Sequence, residues 1–507
     1  MSKQKSTTLT KELPESPRRP EGTCPAQTGP SLTGDPREPN KLNLLANPYI
    51  RRLLRWRGFQ FAIQLPNVLV YLLVIVTGFY GTQTSTQNFA TVVTWIIWWA
   101  AIVFTFVFVG RLWCLMCPFS AMAEWLQRFS LWAVRKESFG LNWKWPLKLR
   151  NLYLATAMFL LLTWVDNRYG LVGSPLYTAY FVLVILAAAI VVALLFERRT
   201  FCRYVCPIGG LIGTYALFAS AELRVADRQI CRGHKEKNCL LGSGTVGYGC
   251  PVRAYPGDID SNYSCTLCTE CIKTCPKNNI ALNVRPFGHD LVNLNEKRLG
   301  LDMSILAVVL LGLPTYQTII MITPWEGWMQ AIQQFTGLSS QIVFSLVFLV
   351  STLAIPVGLF LGTTFVTRLL AHGHDVTHRR LFINFAYAFV PIGLMMHLAH
   401  NVKHLLGEGQ TIIPVLSDPF GWGWNLFGTS KLQLSSLFST DVLTAMQFGL
   451  LLLGQGFAVY VSYRIGHRLF GGRGKAFLRG LAPILVLAIT WSVFNLWVLS
   501  QPLMERH

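Results

Sequence analysis

Charge is what this 507-residue chain has least of: 13% of its residues are Asp, Glu, Lys or Arg, against 52% hydrophobic. Soluble domains carry roughly 25% charged residues, so a water-soluble globular class is excluded. Acidic residues are scarcest, 24 against 44 Lys and Arg, and the mean hydropathy is +0.41. The net charge of +20 does not describe a nucleic-acid binder. Its basic residues fall in short connections between apolar runs, where the positive-inside rule places them in a membrane protein. Hydrolytic machinery is missing as well, with no H-E-x-x-H and no Ser-His-Asp arrangement. Gly242, Gly244 and Gly247 have G-x-G-x-x-G spacing, but no apolar strand leads in and no crossover helix leads out. The run from Gly471 to Lys475 lacks phosphate-loop spacing too, so no nucleotide site is expected. No apolar h-region follows Met1, so the first membrane helix is expected to direct its own insertion.

What is present is a succession of apolar runs long enough to cross about 30 Å of hydrocarbon as helices. They span about 61–81, 90–112, 150–166, 176–197, 302–323, 339–367, 382–405, 441–463 and 480–500. The expected fold is an all-α polytopic membrane protein of about nine helices with a small cytoplasmic α+β ferredoxin-like insert. Residues 1–50, rich in Pro, Ser, Thr and Gly, read as a disordered cytoplasmic tail. Then follow a four-helix membrane part at 51–197, the insert at 198–301 and a five-helix membrane part at 302–507. Pro356 and Pro391 suggest kinks. Arg51, Arg52, Arg55 and Arg57 precede the first run, and Arg128, Arg135, Lys136, Lys144, Lys148 and Arg150 lie between the second and third. Those ends, and with them the insert, are expected on the cytoplasmic side of the inner membrane.

The insert carries SCTLCTECIKTCPK, residues 264–277. Cys265, Cys268, Cys271 and Cys275, with Pro276, give C-x2-C-x2-C-x3-C-P. Three cysteines at this step converge on one cubane cluster while the fourth is carried off to a neighbouring cluster. A zinc knuckle pairs two C-x2-C arms across a longer loop instead. The stretch resembles bacterial ferredoxins. Cysteines in such contexts are reduced metal ligands, not disulfides. By analogy with two-cluster ferredoxins, Cys250, which precedes Pro251, completes the set of Cys265, Cys268 and Cys271, while Cys275 joins Cys231 and Cys239. One ligand is then missing, to be met by a non-thiolate such as His234, by a three-iron cluster, or by the absence of one site. Cys24, alone in the tail, reads as a free thiol.

Two further pairs follow the second and fourth runs: Cys114 and Cys117 before Pro118, and Cys202 and Cys206 before Pro207. Each proline is expected to end its helix and leave amide donors near sulfur. Four thiolates from two facing hairpins can hold one cluster at the membrane edge, or a structural zinc. Each pair alone also fits apolar packing. Over residues 58–290 the chain resembles the polyferredoxin family of membrane-bound 4Fe-4S proteins, which includes NapH and the C-terminal part of NosR. The resemblance implies two or three 4Fe-4S clusters, and electron transfer between a quinone pool or cytoplasmic donor and a partner redox protein. The chain departs from that pattern in its C-x2-C-P first pair, its single complete ferredoxin motif and the absence of a preceding flavin-binding domain. The five helices after residue 301 are not explained by it.

His397, His400 and His404 share one stripe of the seventh run. They suit haem b, another metal or a proton path to quinone, or hydrogen bonding between helices. His372, His374, Asp375 and His378 form a loop cluster that reads as a solvated turn. Trp95, Trp98, Trp99 and Trp113 read as an interfacial belt or an electron-hopping row. The expected function is therefore a membrane electron carrier within an oxidoreductase system, whose partners are the lipid bilayer and a redox protein or quinone. The alternatives are a redox- or metal-responsive regulatory or assembly protein with non-catalytic metal sites, and a transporter.

Overall fold

In the absence of water only a helix satisfies its own backbone within one segment, and the apolar runs fold accordingly. The computed structural model describes residues 41–133, 139–243, 246–371, 376–471 and 474–502. Cys24, Gly244, His372, His374 and Asp375 lie outside these residues.

Eight helical stretches among the described residues are at least 18 residues long and apolar enough to cross a membrane, and a shorter one stands beside them. The run expected at 150–166 is the helix Tyr153–Tyr169, 17 residues long, or about 25 Å at 1.5 Å per residue. Asp166, Asn167 and Arg168 take up its last turn. The last ten residues of the expected disordered segment are also ordered: β1 (Leu42–Asn43) pairs with a later strand, and α1 (Pro48–Arg55) begins under the Asn47 cap.

The first membrane part comprises α2 (Phe59–Tyr80), α3 (Trp99–Val109), the return helix α4 (Pro118–Ala133), α5 (Tyr153–Tyr169), α6 (Pro175–Leu195) and α7 (Pro207–Tyr215). Helix α6 starts as its sequence asks, with the Ser174 hydroxyl accepting from the Tyr177 amide and Pro175 in the first turn. The second part comprises α8 (Leu301–Ile319), α9 (Ile355–Leu370), α10 (Val390–Val402), α11 (Thr440–Phe470) and α12 (Lys475–Ser500). Pro356 follows a π-helical turn at Val350–Ala354, and Pro391 follows a tight 3-10 turn at Ala386–Phe389, the breaks a proline's missing donor produces. Helix α10 is central, with every residue except His400 buried, and it packs on α8, α11 and α3.

Between the two parts, β2 (Ala221–Val225) and β3 (Ile280–Val284) pair antiparallel, with Leu223 opposite Leu282. Strand β1 completes the order β1-β3-β2. A buried ion network fixes this sheet: Arg285 Nη1 lies 2.6 Å from both Glu222 and Asp290, and Arg224 reaches the same two carboxylates at 3.4 Å.

Candidate metal centres

Gly110 decides where the first cysteine pair goes. Its φ of +54° and ψ of −118° suit glycine, and a Cβ there would stand 3.2 and 3.3 Å from the Cβ atoms of Ala216 and Ala219. The chain turns back at this point, so Cys114 and Cys117 are not at the end of a straight helix. Pro118 opens α4 as well as ending the preceding turn, and Pro207 opens α7 in the same way.

Helix α2 measures the depth of this turn. Gln60 Nε2 donates to the Cys268 carbonyl, Gln64 Nε2 to the Leu115 carbonyl at 2.8 Å, and the Tyr71 ring meets Phe119 at 5.1 Å. Along the axis Gln64 lies about 6 Å and Tyr71 about 16 Å beyond Gln60. Cys202 and Cys206 pack with Phe119, Leu162 and Phe181 around Ile185 and Ala189, in the middle of α6. Both Cys-Pro turns fold back onto the helices, so the two pairs pack against side chains of α2 and α6.

Burial pushes the Cys206 thiol well above its ordinary value, and Cys202, Cys117 and Cys114 push it further, while the Gly209 amide pulls it back. Burial likewise raises Cys202 to about 11 against the pull of Arg199, with Cys114 adding to the rise. Four thiols from two hairpins therefore act on one another. Beside them one buried carboxylate, Glu124, accepts from Arg128 at 2.7 Å, from Arg199 at 2.9 Å and from Arg198. Arg199 Nη1 also donates to the Cys114 carbonyl at 3.0 Å. Three guanidiniums on one carboxylate leave buried positive charge in excess. The Nε atoms of Arg111, Arg128 and Arg198 have no hydrogen-bond partner.

The ferredoxin-like loop curls because Leu267 and Thr269, on either side of Cys268, hold φ of +51° and +64°; such curls turn successive amides inward toward an anion. Cys268 is pushed up to about 12 by burial, then by Cys250 and Glu270, with Arg199 pulling it down. Cys271 is raised well above its ordinary value by burial, then by Cys268, Cys265 and Cys250. A third group gathers at Asn279, whose backbone N–H donates to Cys275 Sγ at 3.4 Å and whose side chain donates to Cys231 Sγ at 3.2 Å. Burial, Cys275 and Cys231 raise Cys239 to about 11. The eleven described cysteines are all free thiols. Their neighbours sort them into Cys114, Cys117, Cys202 and Cys206; Cys250, Cys265, Cys268 and Cys271; and Cys231, Cys239 and Cys275. His234 is half-buried at the end of Arg228–Gly233, with no contact to these sulfurs shown.

Among the described residues no three His, Cys, Asp or Glu side chains converge tightly enough to hold a single metal ion. A tetrahedral zinc at 2.3 Å from each sulfur needs thiolates roughly 3.8 Å apart. Buried thiols beside buried guanidiniums suit an anionic iron–sulfur cluster. Thiols raised this far by burial ionise only when a metal replaces the proton.

The three histidines of α10 and the turn after it do not share a focus. His397, fully buried, has Nδ1 at 3.2 Å from Tyr215 Oη and an unpartnered Nε2. His400 Nδ1 meets Thr318 Oγ1 at 3.1 Å, and His404 Nδ1 meets Glu408 at 3.4 Å. His378 Nε2 lies 2.9 Å from Thr364 Oγ1. The tryptophans are half-buried against the core: the ring centroids of Trp113 and Trp98 lie 5.4 Å apart, those of Trp98 and Trp99 6.1 Å, and those of Trp99 and His397 6.1 Å. Trp95 stands apart, bonded to Thr178.

The comparisons fall on the same two cysteine hairpins. Residues 91–139 and 178–224 match the family described as "4Fe-4S binding domain". Each stretch covers most or all of a membrane helix, the cysteine turn after it and the return helix that follows; neither covers residues 264–277. Over 223 residues the chain is 28% identical to an uncharacterized protein of Methanocaldococcus jannaschii, covering 41% of this chain and 81% of that protein. Over 126 residues it is 24% identical to an Escherichia coli K12 protein named "Putative electron transport protein YccM", covering 24% of this chain and 31% of that one. No solved structure matches. The likeness reaches the 4Fe-4S membrane type and not the narrower NapH or NosR group.

Gln60, Gln64, Arg111, Glu124, Arg199 and Tyr215 escaped the sequence reading. Their common signal is a polar group inside or bordering an apolar run, where an unpaired group is costly.

Proposed function

We propose that this chain is a membrane-bound iron–sulfur electron carrier. In this reading two four-thiol sites hold 4Fe-4S clusters, and Cys231, Cys239 and Cys275 form a third, three-thiol group. The observation that carries it is the pair of re-entrant Cys-Pro hairpins, whose four thiols face one another beside excess buried cations, a few ångströms along α2 from the ferredoxin-like loop. The electron-transport name carried by the E. coli relative supports the same reading.

When bound, such clusters supply one-electron chemistry tuned by hydrogen bonds, charge and burial. The chain's own residues do the rest. Gln60 and Gln64 hold the two cysteine loops on one helix. Glu124 fixes three guanidiniums, and the amides opening α4 and α7 face Cys117 and Cys206. The tryptophans and α10 exclude water. Basic residues at the ends of the first and third runs favour a cytoplasmic insert in the inner membrane. The relay then joins a cytoplasmic donor or acceptor to a quinone or a partner redox protein within the bilayer. In this reading the unpartnered Nε2 of His397 is the group available to a quinone oxygen or a haem iron.

The test is anaerobic purification with iron, acid-labile sulfide and zinc quantified, alongside low-temperature electron spin resonance of Cys114→Ser, Cys268→Ser and Cys275→Ser. Each variant is expected to remove a different portion of the iron–sulfur signal. Stoichiometric zinc without sulfide would instead make the sites structural and refute electron transfer.

A further inference from the structure

Arg111 and Arg199 are buried, 6% exposed each, and each borders both four-thiol groups. Arg111 sits three residues before Cys114, and its Nη1 donates to the carbonyl of Tyr263, two residues before Cys265. Its neighbour Leu112 packs into the ferredoxin-side core with Cys265 and Cys271. Arg199 sits three residues before Cys202 and donates to the Cys114 carbonyl at 3.0 Å. Next along the chain from Cys114, the Leu115 carbonyl is held by Gln64, one turn of α2 from the glutamine that holds the Cys268 carbonyl. The Arg199 backbone is itself held at φ +53°, a conformation that non-glycine residues adopt at a cost.

Resting on the iron–sulfur reading, we propose that Arg111 and Arg199 form an electrostatic bridge that raises the reduction potentials of both four-thiol sites together. Reduction adds negative charge to a group that is already anionic. A fixed guanidinium between two such groups favours the reduced form of each, and a low local dielectric lets it act on both. Glu124 accepts from Arg199 at 2.9 Å and keeps the guanidinium from turning away from the two groups.

The experiment is a redox titration by electron spin resonance of purified full-length protein, the two signals being assigned with Cys114→Ser and Cys268→Ser. Arg199→Gln is expected to lower both midpoints by about 59 mV or more, a tenfold change in the reduced-to-oxidised ratio for one electron. Arg199→Lys, which keeps the charge and loses the fork, is expected to stay near wild type, whereas a purely structural role would disturb both variants alike. If Arg199→Gln loses its clusters, Arg111→Gln decides on the same criterion. Clusters present with unchanged midpoints, or a shift confined to one site, would overturn the bridge and leave the electron-carrier reading standing. Wild-type protein without labile sulfide would remove that reading itself.

Discussion

Replacing Glu124 with Gln removes the one carboxylate shared by Arg128, Arg198 and Arg199. The cost can be worked from exposure. The side chains of Arg128 and Arg198 are 21% and 24% exposed and can swing their charge toward solvent, whereas the Arg199 side chain is 3% exposed and cannot. Removing one partner of a buried ion pair costs about 3–5 kcal/mol. With two of the three cations able to relax, the lower end applies: about 3 kcal/mol, roughly two orders of magnitude in the folding equilibrium. An anionic cluster among Cys114, Cys117, Cys202 and Cys206 takes over part of the neutralising role, so the loss is expected to be smaller in cluster-loaded than in metal-depleted protein. Denaturant titration in detergent micelles, followed by tryptophan fluorescence, measures both. A loss under about 1 kcal/mol in depleted protein, or a larger loss in loaded protein, would refute the charge argument.

Gly110→Ala should cost about 2–3 kcal/mol, from forcing an L side chain into positive φ and from its contacts with Ala216 and Ala219, and should reduce iron per chain in metal analysis. Gly170→Ala, at φ +62° with nothing within 4 Å of its Cβ, should cost only about 1 kcal/mol and leave iron unchanged. Asp290 is held well below its ordinary value: burial opposes this, but the His289 hydrogen bond, then Arg285 and Arg224, prevail. A lowered carboxylate contributes stability above its unfolded value, near 3.9, and loses it as pH falls through the folded one. The wild-type contribution from this group should therefore stay flat from pH 7 to 5. Asp290→Asn should be roughly 3–5 kcal/mol less stable at pH 7 and should lack the acid limb below about pH 4, as read by circular dichroism against pH.

The cysteine groups were legible because metal chemistry writes itself into spacing: Cys265, Cys268, Cys271 and Cys275 admit few other readings. The helices were legible because hydrocarbon demands length and apolarity. What escaped is tertiary. Gly110 sits in an apolar run that reads as continuous helix, and nothing local announces a reversal whose reason is the close approach of Ala216. Arg111 and Arg199 each stand three residues before a cysteine pair, and only packing reveals that they face inward. The run at 150–166 reads like the other spans, although its helix is only 17 residues long and ends in the polar turn from Asp166 to Arg168. The histidine stripe was legible as a stripe, yet Tyr215, Thr318 and Glu408 come from elsewhere in sequence or beyond its last turn and give its members separate partners.

The interleaving of the two hairpins also governs when the protein can be built. Cys114 and Cys117 leave the ribosome long before Cys202 and Cys206, and the later helices cover the site: Gly210 packs on Leu306, and Tyr215 meets His397. On the proposed reading, a cluster is therefore expected to enter after the second return helix has been laid down and before the C-terminal bundle closes over it, and later exchange is expected to need partial opening of the helical body.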